Sequence, residues 1–257
     1  METWREAGRS LNFYLRPQTF PLAVKLVERE EQIPEQARRP MRDLGKRLAP
    51  CQGAAIARKY GWTVAVAGVD SGCAIADLNY GWTEDVDLDK VIAFATRMNY
   101  ARDEDAARAT MAAVPRLAPG RCHAAVYSPL EKTSVEPDVI LIYCNPAQLM
   151  RLIHGATQKE GKPITCSFLG RMASCTEGVL ASYTQQLPKI VVPGNGDRVW
   201  ATAQDDEMAF VIPAAQLEDM IDGLSQTHQR GIRYPVPAFV DFQPMVGLKI
   251  PLSDIFK

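Results

Sequence analysis

The sequence predicts a mixed-sheet α/β or α+β protein, and three observations carry that prediction. Short apolar runs of strand length alternate with segments whose apolar residues recur at helical spacing. Two of the runs, 122–127 and 139–144, follow one another with no helical pattern between them, which a strictly alternating parallel fold does not produce. The chain has 257 residues, enough for one large core or two modest lobes. We therefore expect a single compact domain over 1–257, with helices packed on the sheet and a lobe boundary, if two similar lobes exist, near 115–121. Val114-Pro115-Arg116-Leu117-Ala118-Pro119-Gly120 is the candidate joint.

Taken in order, Leu11–Leu15 reads as the end of an N-terminal helix, and Phe20–Val27 as a strand with Pro21 near its start, where a missing donor is tolerated. The charged segment 28–40 reads as a loop, and Met41, Leu44 and Leu48 repeat at helical spacing up to Pro50. A small-residue helix from Cys51 closes at Gly61, followed by a strand over 63–67 and a turn, 68–73, that opens another short helix. Val91, Ile92, Ala95 and Met98 mark a helix, as does 103–113. After the strands 122–127 and 139–144, Asn145-Pro146 supplies an N-cap and an N1 proline. A short strand is expected over 164–168. Ser174-Cys175-Thr176-Glu177 matches a capping box, and the helix it opens should run to about Gln185. Strands over 189–192 and 208–212 follow. Leu217, Met220, Ile221 and Leu224 share one face of the last long helix, and Tyr234-Pro235-Val236-Pro237 begins an extended tail.

Composition narrows the partners. Apolar residues make up 47%, charged residues 23%, and the formal net charge is −1, so no long-range field recruits nucleic acid or an anionic membrane. The start, Met1-Glu2-Thr3-Trp4-Arg5-Glu6, carries acids where a secretory leader is basic. The longest apolar run, 139–144, falls far short of the ~20 residues of a membrane helix. The expectation is a soluble, cytoplasmic protein.

Six cysteines (51, 73, 122, 144, 166 and 175) are spread along the chain, and in a reducing compartment they are expected as free thiols, core residues, ligands or catalytic groups. None of them forms a C-x-x-C pair. Cys175 falls in the first turn of its helix, Cys51 directly follows Pro50, and Cys73 follows Ser71-Gly72 at a third helix start. Unpaired amides and the helix dipole at such positions favour a thiolate. Simple packing of a small apolar thiol where helix meets sheet explains each position equally well. Cys122 and Cys144 lie in strand runs and read as core. Cys166, nine residues before Cys175, is a reserve ligand.

The second feature is Gly194-Asn195-Gly196-Asp197-Arg198. Its glycines allow a sharp turn and close ligand approach, and the Arg198 guanidinium matches a carboxylate or phosphate. A tight hairpin with an Asp-Arg pair is the plainer reading. Val199-Trp200-Ala201 looks extended, so no dinucleotide fingerprint is present. Asp205-Asp206-Glu207 could bind a cation or act as acid or base, with Asp206 the candidate, against the plainer reading of solvated loop charges. His123, His154 and His228 have no partner at metal-ligand spacing, and neither G-x-S-x-G nor H-E-x-x-H occurs. One internal echo is present. Cys51 and Cys73 are 22 residues apart, as are Cys175 and Asp197, and Ala57 and Ala181 fall in register. The echo fits a degenerate duplication, and also chance likeness between two helix–strand–turn units.

Several segments carry a resemblance: Pro21-Leu22-Ala23-Val24-Lys25, Cys51-Gln52, Ala57-Arg58, Pro129-Leu130, Pro137-Asp138-Val139, the run 145–152 from Asn145-Pro146-Ala147-Gln148 onward, Gly170-Arg171, Cys175, Gly196-Asp197-Arg198 and Asp206-Glu207. Through them the chain resembles, over nearly its whole length, domain-of-unknown-function family 169, a bacterial and archaeal family with no established activity. The resemblance implies cysteines at 51, 73 and 175 and, in many members, a fourth at the position held here by Gly194. Four such thiols suit an iron–sulfur cluster or another soft metal. Three readings follow. In the leading one, a redox- or metal-associated protein holds an iron–sulfur cluster or thiophilic metal through Cys51, Cys73 and Cys175, with Cys166 in reserve, while Arg198 orients a small anionic ligand. In the second, a metal-free thiol enzyme uses Cys175 as nucleophile, assisted by Asp197 or Asp206. In the third, a non-catalytic protein binds a small molecule through Gly194, Gly196, Arg198 and Asn145.

Overall fold

The computed structural model describes residues 2–83 and 87–237, and the tail beyond 237 lies outside them. The strand-length runs form β1 (Leu22–Val27), β2 (Val64–Ala67), β3 (Ala124–Pro129), β4 (Val139–Cys144), β5 (Lys189–Val191) and β6 (Met208–Pro213). All pair antiparallel in one sheet ordered β2-β3-β1-β4-β6-β5. The helices are α1 (Glu2–Leu15), α2 (Pro50–Tyr60), α3 (Ala74–Asn79), α4 (Leu88–Arg97), α5 (Glu104–Ala113), α6 (Pro146–Thr157), α7 (Ala181–Gln185), α8 (Asn195–Val199) and α9 (Leu217–Gln229). Helix α7 continues a wide π-type turn over Ala173–Leu180.

The sheet is apolar on both faces because helices cover both. Leu22, Val24 and Leu26 of β1 face one layer with Tyr127, Leu141, Tyr143 and Val211, against Ala54 and Ala57 of α2, Ala76 of α3 and Val179 of the π-type turn. Ala23, Ile140, Ile142 and Phe210 point to the other side, against Leu11 and Leu15 of α1, Leu152 of α6 and Met220 and Leu224 of α9. This two-sided burial is why the strands read as continuous apolar runs rather than as alternating ones. Among the described residues no helix is long and apolar enough to cross a membrane.

The topology repeats across the β1–β4 boundary. In the first half β1 is followed by α2, then edge strand β2, then β3 inserted between them; in the second, β4 leads through the π-type turn and α7 to edge strand β5, and β6 inserts between β4 and β5. The closing contacts correspond. The amide of Leu130, just after β3, donates to the carbonyl before β1, that of Pro21 (2.8 Å), and the amide of Ala214, just after β6, donates to the carbonyl before β4, that of Asp138 (2.9 Å). The first half differs by carrying α3, α4 and α5 between its edge strand and β3. Residues 115–121 link α5 to β3, and the sheet runs unbroken across both halves.

Both inner helices approach their edge strands through a glycine. A Cβ on Gly53 of α2 would lie 2.8 Å from Val66 of β2, and one on Gly178 would lie 2.9 Å from Val191 of β5 and 3.0 Å from Val211 of β6. Gly178→Ala is expected to lower stability by about 1–3 kcal/mol through overpacking, read as a lower urea midpoint at unchanged slope. An unchanged midpoint would mean that β5 yields without cost.

Two sequence expectations change here. Residues 164–168 form no strand; Cys166 instead accepts the Ile190 amide through its sulfur at 3.1 Å, supplying a partner that β5 lacks on its outer edge. The expected helix over 41–48 is a single π-type turn, Pro40–Leu44. Met41 and Leu44 are solvent-exposed, so their helical spacing marks no buried face.

Candidate cysteine site

Three of the cysteines come from separate elements. Pro50 opens α2, and the Gln52 side chain accepts the Ala49 amide at 2.9 Å, which fixes the first turn around Cys51. Cys73 is the N-cap residue of α3. The turn before it is held by buried Asp70, which takes the Arg39 Nε–H at 2.8 Å and the Met41 amide at 3.1 Å. Cys175 lies in the first turn of the π-type segment, behind Met172, a non-glycine residue with left-handed backbone (φ 35°).

The expected capping box does not form. The helical segment begins at Ala173, and the Ser174 hydroxyl donates to Asp197 instead of capping. Glu177 reaches back to the amides of Leu169 (2.9 Å) and Arg171 (3.3 Å), closing the preceding loop rather than capping the helix. The Gly-Asn-Gly-Asp-Arg turn is likewise not followed by extended chain. Asp197 accepts the Gly194 amide at 3.1 Å, and this bond winds the turn into α8. The same carboxylate takes the Ser174 amide at 3.3 Å, so buried Asp197 pins the turn to the start of the Cys175 segment.

The thiols of Cys51, Cys73 and Cys175 are all held above the ordinary thiol range. Burial holds the Cys175 thiol well above its ordinary range, with Cys51, Asp197 and Cys73 pushing the same way and the Thr176 hydroxyl opposing. Burial pushes Cys51 up to about 12, helped by Asp197 and Cys73. Cys73 is raised by burial against the pull of the Ala76 and Ile75 amides. Cys51 packs with Ala49, Ala55 and Ala201, and Cys73 lies against that group. Cys73 and Cys175 both pack against the inner layer of the sheet, and Asp197 is tied to the Cys175 segment through the Ser174 amide.

Tyrosines floor the site. Buried Tyr80, just past α3, donates its hydroxyl to the Cys175 carbonyl at 3.0 Å, and its oxygen lies 3.4 Å from that of Tyr127 on β3. Among the described residues no three His, Cys, Asp or Glu side chains are placed to hold a single metal ion.

The remaining candidates are dispersed. Cys166 sits at the edge of β5. Cys122 and Cys144 are core residues, each raised by burial to about 12. Arg198 makes no pair with Asp197; its guanidinium donates to the Gln204 carbonyl. Asp206 is exposed, whereas its neighbour Glu207 is buried against Arg58 at 2.7 Å. Asn145 caps α6 by accepting the Gln148 amide at 2.9 Å and donates to Tyr234 at 3.0 Å, on the opposite face of the sheet from the glycine turn. A recess of about 300 Å³ beside the start of α6, lined by Pro146, Leu149, Met150, Ile153, His154 and Met208, is likewise on that face. A Cβ at Gly194 would lie 2.9 Å from the Gly170 carbonyl oxygen, so the loop at Gly170 fills the room that a fourth thiol would need.

Sequence reasoning quoted Arg58 and Glu207 only as parts of the family-like segments, without their pairing, and missed Asn79 and Thr176. Glu207 was hidden in an acidic run, and the other three sit within helical segments whose spacing marks nothing polar.

Among known proteins, "Uncharacterized protein MJ0308" of Methanocaldococcus jannaschii is 29% identical to this chain over 128 residues, 50% of the chain and 54% of the relative. The chain thus spans about half the length of that curated relative. No solved structure matches it. The profile of domain-of-unknown-function family 169, described as uncharacterised ArCR, matches residues 10–223, and the chain belongs to that family.

Proposed function

We propose that Cys51, Cys73 and Cys175 hold a thiophilic metal centre, best suited to an iron–sulfur cluster, in a redox- or metal-associated protein. The observation that carries this reading is packing: Cys73 lies against the group that holds Cys51, and Cys73 and Cys175 pack against the same inner layer, the three thiols coming from three separate helix starts. First-turn amides aim at two of them, those of Gln52 and Cys51 at Cys51 and those of Ala76 and Ile75 at Cys73. Amide donors of this kind stabilise bound thiolates and tune their potential.

Burial supports a metal role over a free nucleophile. Raised thiols give up their protons poorly in a metal-free protein, and a cation is what exchanges for them. For the same reason the reading of Cys175 as a metal-free nucleophile has less support. A lone tetrahedral ion with ~2.3 Å bonds to sulfur brings its thiolates within about 4 Å of each other, a spacing at odds with the lack of a ready single-ion site among the described residues. A cluster spaces its ligands more widely. Bound there, it would supply electron transfer or Lewis acidity.

The test is anaerobic purification or reconstitution, with iron and sulfide analysis and a visible spectrum. A coloured protein is expected, losing its colour in Cys51→Ser, Cys73→Ser and Cys175→Ser but keeping it in Cys122→Ser and Cys144→Ser. Colourless protein that takes up neither iron nor sulfide would end the proposal.

A further inference from the structure

We propose that Thr176 is a positioning residue for Cys175: held by the Asn79 carboxamide, its hydroxyl donates its proton to the Cys175 sulfur and orients that thiolate for work. The inference deepens the cysteine-site reading and rests on its premise that Cys175 acts through sulfur. It adds residues that no resemblance points to, and its geometry stands without any metal.

The first observation is a chain of three groups. Asn79, fully buried after the first turns of α3, donates its Nδ2–H to Thr176 Oγ1 at 3.2 Å. Thr176 Oγ1 lies 3.7 Å from Cys175 Sγ. A hydroxyl oxygen that already accepts from an amide keeps its own proton free to give, and a sulfur is an acceptor for it. With Asn79 donating to Thr176, the Thr176 proton is free for the Cys175 sulfur, and the proposal takes that direction.

The second observation is a contrast with other helical threonines. Thr96, Thr110, Thr157, Thr184 and Thr227 each donate to the carbonyl four residues earlier, at 2.7–3.0 Å. That back-bond is the default for a threonine inside a helix. Among the described residues Thr176 makes none; its oxygen is turned to Asn79 and Cys175. The wide π-type turn on which it sits is the kind of helical irregularity that re-aims side chains at functional sites.

The surroundings hold the relay still. Asn79 Nδ2 also lies 3.5 Å from the Met172 sulfur, at the residue with left-handed backbone that begins the segment. Tyr80, next in sequence to Asn79, donates to the Cys175 carbonyl at 3.0 Å. Two consecutive residues at the end of α3 thus fix the backbone of Cys175 and, through Thr176, its sulfur. Since α3 opens with Cys73, one short helix supplies both a thiol and the positioning of another. Thr176 itself is fully buried, so a solvating role does not explain its orientation.

The test uses the full metal-free chain at one fixed pH. Iodoacetamide labelling of each cysteine is followed by mass spectrometry in wild type, Thr176→Val, Thr176→Ser and the double variant Asn79→Leu/Thr176→Val. Loss of the donor should reduce the thiolate population about tenfold, the equivalent of ~1.4 kcal/mol. The greater nucleophilicity of the rarer thiolate offsets part of that, so Cys175 labelling should slow about fourfold. Serine should restore the rate to within about twofold, and Cys51 should be unaffected. The double variant, which leaves no orphaned amide, should match Thr176→Val and covers the case in which the single variant folds poorly. Equal Cys175 rates in wild type and both valine variants, or a serine variant as slow as valine, would overturn the relay. In parallel, iron(II) and sulfide are reconstituted anaerobically into wild type and Thr176→Val. If wild type takes up neither and stays colourless, the metal reading fails while the labelling still decides the relay. If both proteins gain the same spectrum and the labelling rates are also equal, the metal reading stands and the relay does not.

Discussion

Replacing Arg58 by methionine is expected to lower the free energy of unfolding by about 3–5 kcal/mol, because it strands a buried carboxylate. The Arg58 side chain is fully enclosed and that of Glu207 is 9% exposed. The two form a fork: Nη1 donates to Oε1 at 2.7 Å and Nη2 to Oε2 at 3.1 Å. The guanidinium also lies 3.9 Å from the centre of the Tyr143 ring and donates to the Thr202 carbonyl at 3.2 Å. Lysine cannot reproduce this pattern, since its ammonium is a single point of charge, so Arg58→Lys should be destabilised as well. Arg58→Met with Glu207→Leu should regain much of the loss, because two apolar side chains leave nothing unpaired. Urea unfolding of wild type, Arg58→Met, Glu207→Leu and the double variant gives the coupling directly. A double variant as unstable as Arg58→Met alone would show that packing, not charge pairing, sets the cost. Arg58 stands two turns beyond Cys51 on α2, and Glu207 directly precedes β6. Loosening the pair should therefore also reduce metal uptake at the cysteine site.

The layered α/β arrangement was legible because both faces of the sheet are covered, so the strands stand out as continuous apolar runs such as Val139–Cys144. Antiparallel pairing throughout was not legible. It depends on long returns, such as α3–α5 before β3, whose end points spacing alone does not fix. The cysteine pattern was legible through helix starts: Pro50 before Cys51 and Ser71-Gly72 before Cys73 carry local signals that survive in the fold. The start near Cys175 was misread because Ser174 and Glu177 had competing partners. Asp197 takes the serine hydroxyl, and the Leu169 and Arg171 amides take the glutamate, and neither partner adjoins the motif in sequence. The Arg58–Glu207 pair spans 149 positions, and no local pattern connects its members. The 22-residue echo falls on two inner helical segments, each followed by an edge strand, with Cys51 near the start of one and Cys175 near the start of the other.

In alkaline solution the metal-free protein is expected to lose stability steeply from about pH 8.5 upward. Burial holds the thiols of Cys51, Cys122 and Cys144 up to about 12 in the folded chain, whereas an unfolded cysteine titrates near 8.5. Between those values the unfolded chain has released protons that the folded chain still binds. The stabilisation is complete below about pH 8.5 and drains away as pH climbs toward 12. Each such thiol contributes a slope of about 1.4 kcal/mol per pH unit, so three give about 4 kcal/mol per unit in the steepest part of the window. That rivals the whole stability of an ordinary domain within two or three units. Buried Tyr80 and Tyr127, both raised well above their ordinary values by burial, steepen the loss further above pH 10. Urea unfolding at a series of pH values under a reductant measures the slope, and Cys122→Ala/Cys144→Ala should lower it by about 2–3 kcal/mol per pH unit, the share of those two thiols. A wild-type curve flat to pH 10.5, or a double variant as steep as wild type, would refute the burial of these groups. The same measurement bears on the cysteine site. A thiol already surrendered to a metal has no proton left to lose, so loaded protein should show a shallower alkaline limb than metal-free protein. The difference should vanish in Cys51→Ser, because on the proposed reading that variant lacks a ligand and stays unloaded.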